Sequence, residues 1–94
     1  MMNNYLITKS NSENAAIKFM LFNGTEDAML QRFLTMARAE ASEMGIEEDN
    51  LPEDITDIDY NEYDNTWCII LYDEETEVDI VFTAIDMNNI TFIK

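Results

Sequence analysis

From Ala39 to Ile93 the chain has no lysine or arginine, yet that stretch holds all of its 20 acidic residues except Glu13, Glu26 and Asp27. Internal ion pairing cannot neutralise so one-sided a distribution. Any fold must therefore place these carboxylates at the surface and tolerate their mutual repulsion. Lys9, Lys18, Arg32, Arg38 and Lys94 are all the bases, and the net charge is −15. A chain of 94 residues accommodates one domain, residues 1–94, and is too short for two. Its 47% hydrophobic content separates it from disordered acidic tails, which lack the apolar surface to offset chain entropy. At this length roughly 60–65% of the unfolded surface can be buried, so the core is thin.

The apolar pattern predicts α+β architecture: an antiparallel sheet of about four to six strands with one amphipathic helix on one face. "YLIT" (5–8) and "IKFMLF" (17–22) read as strands, joined by a polar segment whose length leaves their pairing open. A helix is predicted over "NGTEDAMLQRFLTMARAEASEMG". Either Asn23, with Glu26 in a capping box, or Thr25 caps it, and Gly45 ends it. Met29, Leu30, Phe33, Leu34, Met36, Ala37, Ala41 and Met44 recur at three- and four-residue spacing, as one buried face requires. Pro52 then blocks further helix. Three strands are predicted next: Ile55–Tyr63, Trp67–Tyr72 and Glu77–Ile85. The second is apolar on both faces, as a central strand would be. A last short strand is expected in "ITFIK", giving the order β-β-α-β-β-β-β.

Much chemistry is excluded. Without histidine there is no imidazole base, no Ser-His-Asp or Cys-His arrangement, and none of the commonest metal ligand. Two glycines cannot build a phosphate-cradling loop. "DIDYNEYDNTWC" starts with the ligand spacing of a calcium loop at Asp57, Asp59 and Asn61. It then has Glu62 where the turn glycine belongs and Cys68 in place of the bidentate glutamate. Cys68 stands in an apolar run and reads as a small core residue, and the helix methionines read as packing. The expectation is a protein that is not an enzyme, with no catalytic residue, no metal and no cofactor. The scarcity of bases argues against direct binding to nucleic acid or an anionic membrane. One cysteine, no leader-like start and no long apolar run make the expected location cytoplasmic; the doubled Met leaves the first residue open.

The remaining signal is the charge itself. Alternate residues of a strand face the same way about 6.6–6.8 Å apart, so Asp57 and Asp59 are expected in file on one strand face. Glu62 and Asp64 follow, Asp73, Glu74 and Glu75 crowd the next turn, and Glu77 and Asp79 form a second alternating pair. If the strands are neighbours, these residues form an array of negative charge resembling a phosphate backbone, with Tyr60 and Tyr63 as anchors within it. The expected partner is a basic nucleic-acid-binding protein that meets the array with charge-assisted hydrogen bonds.

In size, charge and architecture, and in the stretches "EEDNLPEDITDIDYNEYD" and "DEETEVD", the chain resembles the small phage-encoded anti-CRISPR and anti-restriction inhibitors. Several of those proteins imitate DNA. The resemblance implies an inhibitor that blocks the basic DNA- or RNA-binding site of a host defence nuclease, a CRISPR effector or a restriction enzyme, in the host cytosol. Two alternatives share parts of the pattern. One is an immunity or antitoxin-type protein neutralising a basic nuclease. The other is a structural or assembly module of a phage or mobile element, which would self-associate through an exposed sheet edge. A homodimer is a further expectation.

Overall fold

The computed structural model describes residues 2–46 and 51–90. Strands β1 (Asn3–Asn11) and β2 (Ile17–Gly24) form an antiparallel hairpin registered from Asn3 opposite Gly24 to Ser10 opposite Ile17. The connection between them closes because side chains stand in for backbone acceptors. Asn11 Oδ1 accepts from the Glu13 N–H (2.8 Å) and Asn14 Oδ1 from the Ala16 N–H (3.0 Å), which folds the polar link into a turn.

The helix α1 (Glu26–Met44) starts at Thr25, whose hydroxyl accepts from the Ala28 N–H. Thr25 and not Asn23 is thus the cap, with Glu26 and Asp27 in the first turn, where the helix dipole favours negative charge. At the other end Gly45 takes φ +73°, and the Ile46 N–H returns to the Ala41 carbonyl. That left-handed residue is why a glycine stands there.

The predicted strand Ile55–Tyr63 contracts to β3 (Asp59–Asn61). On its near side the Asp54 carboxylate accepts from both the N–H and the hydroxyl of Thr56, which starts a 3-10 turn at Ile55–Asp57. On its far side the Asn61 and Asp64 side chains accept the Tyr63 and Thr66 N–H groups and turn the chain back. Short polar side chains thus compete with the ladder for the backbone and win. Strands β4 (Thr66–Asp73) and β5 (Val78–Asp86) follow, and all pairings are antiparallel in the order β2-β1-β5-β4-β3. Among the described residues the sheet has five strands, with one α-helix packed on it. A 3-10 turn occupies Met87–Asn89; of the strand expected in "ITFIK", residues 91–94 lie outside the described residues.

The core lies between α1 and one face of the sheet. Met29, Leu30, Phe33, Leu34, Ala37 and Ala41 of the helix meet Tyr5, Ile7, Ile69, Leu71, Ile80, Phe82 and Ala84, and Leu51 and Ile58 close one side. Phe33 and Phe82 meet edge to face at 6.3 Å. A single helix covers a single face. The expectation that β4 is buried on both sides is therefore corrected: Ile69 and Leu71 are buried, while Ile70 and Tyr72 face outward and are exposed. Among the described residues no helix is long and apolar enough to cross a membrane.

Candidate protein-binding site

The expected acidic residues divide into two groups. Asp57, Asp59, Glu62 and Asp64 surround β3 at one edge of the sheet, with Tyr63 among them. Asp73, Glu74, Glu75, Glu77 and Asp79 gather about the β4–β5 turn. Antiparallel β4 carries the turns at 62–65 and 74–77 at its opposite ends, about 23 Å apart for seven steps of roughly 3.3 Å. Asp59 pairs with Cys68, about 17 Å along the strand from Asp73, and Asp57 shares a cleft with Ile70. Between β3 and β5 lies β4, whose outward side chains Cys68, Ile70 and Tyr72 interrupt the negative surface. The carboxylates therefore form two clusters and not one continuous array.

Each expected residue has a distinct setting. Asp57 belongs to the 3-10 turn and not to a strand, so it does not stand in file with Asp59. Both nevertheless line one cleft of about 330 Å³, together with Leu51, Pro52, Cys68, Ile69 and Ile70. The cleft opens where β3 ends and the edge of β4 continues without a partner strand. Tyr60 lies on the other side of β3 from Asp59. Its ring packs on Trp67 at 4.8 Å and its hydroxyl donates to Asn65 Oδ1 (3.0 Å). Tyr63 is fully exposed.

Two of the acids also build turns. Asp64 Oδ1 accepts from the N–H and hydroxyl of Thr66, and Asp73 Oδ1 from the Glu75 N–H. Among the described residues, no protein donor reaches the carboxylates of Asp57, Asp59, Glu62, Glu74, Glu75, Glu77 or Asp79. The one ion pair there, Lys9 with Glu40 at 2.8 Å, includes no candidate residue. Among the described residues nothing neutralises these charges.

Glu77 carries a backbone cost as well, with φ +55°. A side chain there crowds the backbone by roughly 1–2 kcal/mol, which glycine escapes. Glu77→Gly is expected to raise stability by about 1 kcal/mol, read as a higher urea midpoint with unchanged slope.

Asp54 and Cys68 have perturbed acidity. The hydrogen bonds from Thr56 hold the Asp54 carboxyl below the ordinary carboxylate range. Its stabilising contribution is therefore present above that range and is lost as pH falls through the folded value. Partial burial pushes the Cys68 thiol up, and the charges of Asp59 and Asp64 add to this, so it stays protonated and unreactive at neutral pH. No three His, Cys, Asp or Glu side chains converge as a metal site among the described residues.

A second feature of the surface has no counterpart among the expected residues. The sheet face turned away from α1 is apolar: Leu6 stands between Leu21 and Ile85, Ile70 beside Val81, and the Thr8 and Thr83 hydroxyls hydrogen-bond between them. Ile17 (57%), Phe19 (66%), Leu21 (72%), Ile70 (58%) and Tyr72 (49%) are largely exposed there. Single exposed apolar residues are ordinary, but a contiguous set across four strands is the kind of surface through which proteins make contacts. The sequence held a signal for it in two strands apolar on both faces and one helix to cover them. No family model, curated protein or solved structure matches this chain.

Proposed function

We propose that the chain is a non-enzymatic inhibitor. Its acidic side would occupy the basic DNA- or RNA-binding site of another protein, a nuclease of a host defence system. The observation that carries this reading is the set of surface carboxylates, Asp57, Asp59, Glu62, Glu74, Glu75, Glu77 and Asp79, that meet no cation or hydrogen-bond donor among the described residues. Concentrated negative charge costs stability, and two clusters held without partners suit an incoming basic surface. The cleft with Asp57 and Asp59 on its wall takes a lysine or arginine side chain. The fully exposed Tyr63 and the Tyr72–Ile70 strip supply apolar contact between charged margins, the anatomy of a protein interface. With its charge broken by β4, the surface presents two separate anionic footholds in place of a continuous imitation of a phosphate backbone.

The test is capture from a cell lysate on the immobilised protein, followed by challenge with duplex DNA. The reading expects a nucleic-acid-binding nuclease that DNA displaces and whose DNA binding the protein blocks. Captured proteins that DNA does not displace, or a nuclease whose DNA binding is unaffected, would overturn it.

A further inference from the structure

The acidic clusters leave one side of the molecule out. In the sheet order β2-β1-β5-β4-β3, strand β2 is the edge farthest from β3, four inter-strand steps or about 19 Å away. Neither β1 nor β2 contains an acid; the hairpin carries Lys9 and Lys18 against Glu13, net positive by one in a chain of −15. The edge also lacks most of the devices that prevent strand pairing. It runs Ile17–Gly24 with no proline, and Lys18 is its one charge.

Its backbone polarity can be read from the hairpin. The Asn11 N–H bonds the Ala16 carbonyl at 3.0 Å, so residues 16, 18, 20 and 22 direct their backbone groups to β1. The N–H and C=O groups of Ile17, Phe19, Leu21 and Asn23 therefore point away from the sheet. The same odd-numbered residues put their side chains on the open apolar face.

We propose that β2 is a self-association edge, and that a second copy of this chain pairs with it antiparallel about a two-fold axis through Met20. That register places Phe19 opposite Leu21 of the second copy and Ile17 opposite its Asn23. It matches outward donors with outward acceptors and sets Lys18 against Phe22, not against another lysine. The strand is thus complementary to itself, as an isologous contact requires. A second copy is favoured over a foreign strand by charge. A basic partner is steered toward the acidic clusters, whereas two copies of a −15 chain approach with least repulsion at the edge whose own strands carry no acid and where Lys18 stands beside Glu40 and Glu43 of α1. The dimer joins two sheets and leaves both acidic poles outward, and this inference does not depend on what those poles bind.

The test is sedimentation equilibrium over a wide concentration range, at low and high salt, on the parent chain and three variants. Phe19→Pro removes an outward N–H while sparing the β1 ladder; Leu21→Lys places a charge on the edge without touching the backbone. Each is expected to raise the dimer Kd by about tenfold or more, with unchanged circular dichroism showing that the fold is kept. Ile70→Lys, on the same open face but on β4, is expected to leave the dimer intact. High salt is expected to strengthen the dimer, because at low ionic strength the Debye length grows to about 30 Å and the negative charge of each copy, Glu40 and Glu43 beside Lys18 included, is felt across the contact. A monomer at every concentration would overturn the proposal. So would a dimer that Ile70→Lys dissolves and Leu21→Lys spares, since that pattern belongs to sheets stacked face to face.

Discussion

Reversing Asp57, Asp59, Glu62 and Asp64 to lysine is expected to abolish detectable binding to the basic partner while leaving the protein folded. Each reversal changes the charge by two, so the four take the chain from −15 to −7. A carboxylate paired with a buried arginine loses more than about 2 kcal/mol, roughly thirtyfold in Kd, when its charge is lost. One that acts at the rim lowers the association rate instead and does so less at high salt. Surface plasmon resonance at two salt concentrations separates the contributions. Reversing Glu74, Glu75 and Glu77 is expected to cost less, because that turn lacks both the cleft and the exposed Tyr63. Circular dichroism separates lost binding from misfolding. Fewer unpaired carboxylates mean less self-repulsion, so the melting temperature of the Glu74, Glu75 and Glu77 variant should hold or rise. In the first variant that gain is set against the loss of the turn Asp64 makes with Thr66. Undiminished affinity in both would sink the inhibitor reading.

Phe82→Ala is expected to have the largest effect on stability. Phe82 is 1% exposed on a central strand, flanked by Ile69 and set edge to face against Phe33. Removing a buried phenylalanine costs about 3–5 kcal/mol through lost burial and the cavity left behind. A domain this small has on the order of 5–10 kcal/mol in all. The melting temperature should drop by roughly 15 °C or more, at about 4–8 °C per kcal/mol for a domain near this size. Ile70→Ala provides the contrast. In the sequence Ile70 looks as much a core residue as Phe82, yet it lies on the open face and should change stability by no more than about 0.5 kcal/mol in the monomer. Urea unfolding of both variants checks the assignment of the two faces, and an equal loss from Ile70→Ala would mean that the open face is covered.

The helix was legible in the sequence almost residue for residue. The three- and four-residue spacing of Met29, Leu30, Phe33, Leu34, Ala37 and Ala41, with Thr25 before it and Gly45 after it, are local properties that local chemistry decides. The α+β class and the acidic character followed from periodicity and composition in the same way. The contraction of β3 was less legible, because it turned on Asp54, Asn61 and Asp64 capturing backbone N–H groups that a strand would otherwise use. The strand order belongs to the tertiary structure alone. That order inserted β5 and β1 between the β4–β3 side and β2, and it ran β4 so that its two acidic turns point apart. One array of carboxylates became two clusters, and β2, a strand without an acid, became the far edge. Nothing in a strand's own residues states which neighbours it will have, because register and pairing depend on burying side chains contributed by distant segments. For the same reason the double-sided apolar strands did not reveal which side stays bare; that was settled when the single helix covered one face and left the other to solvent.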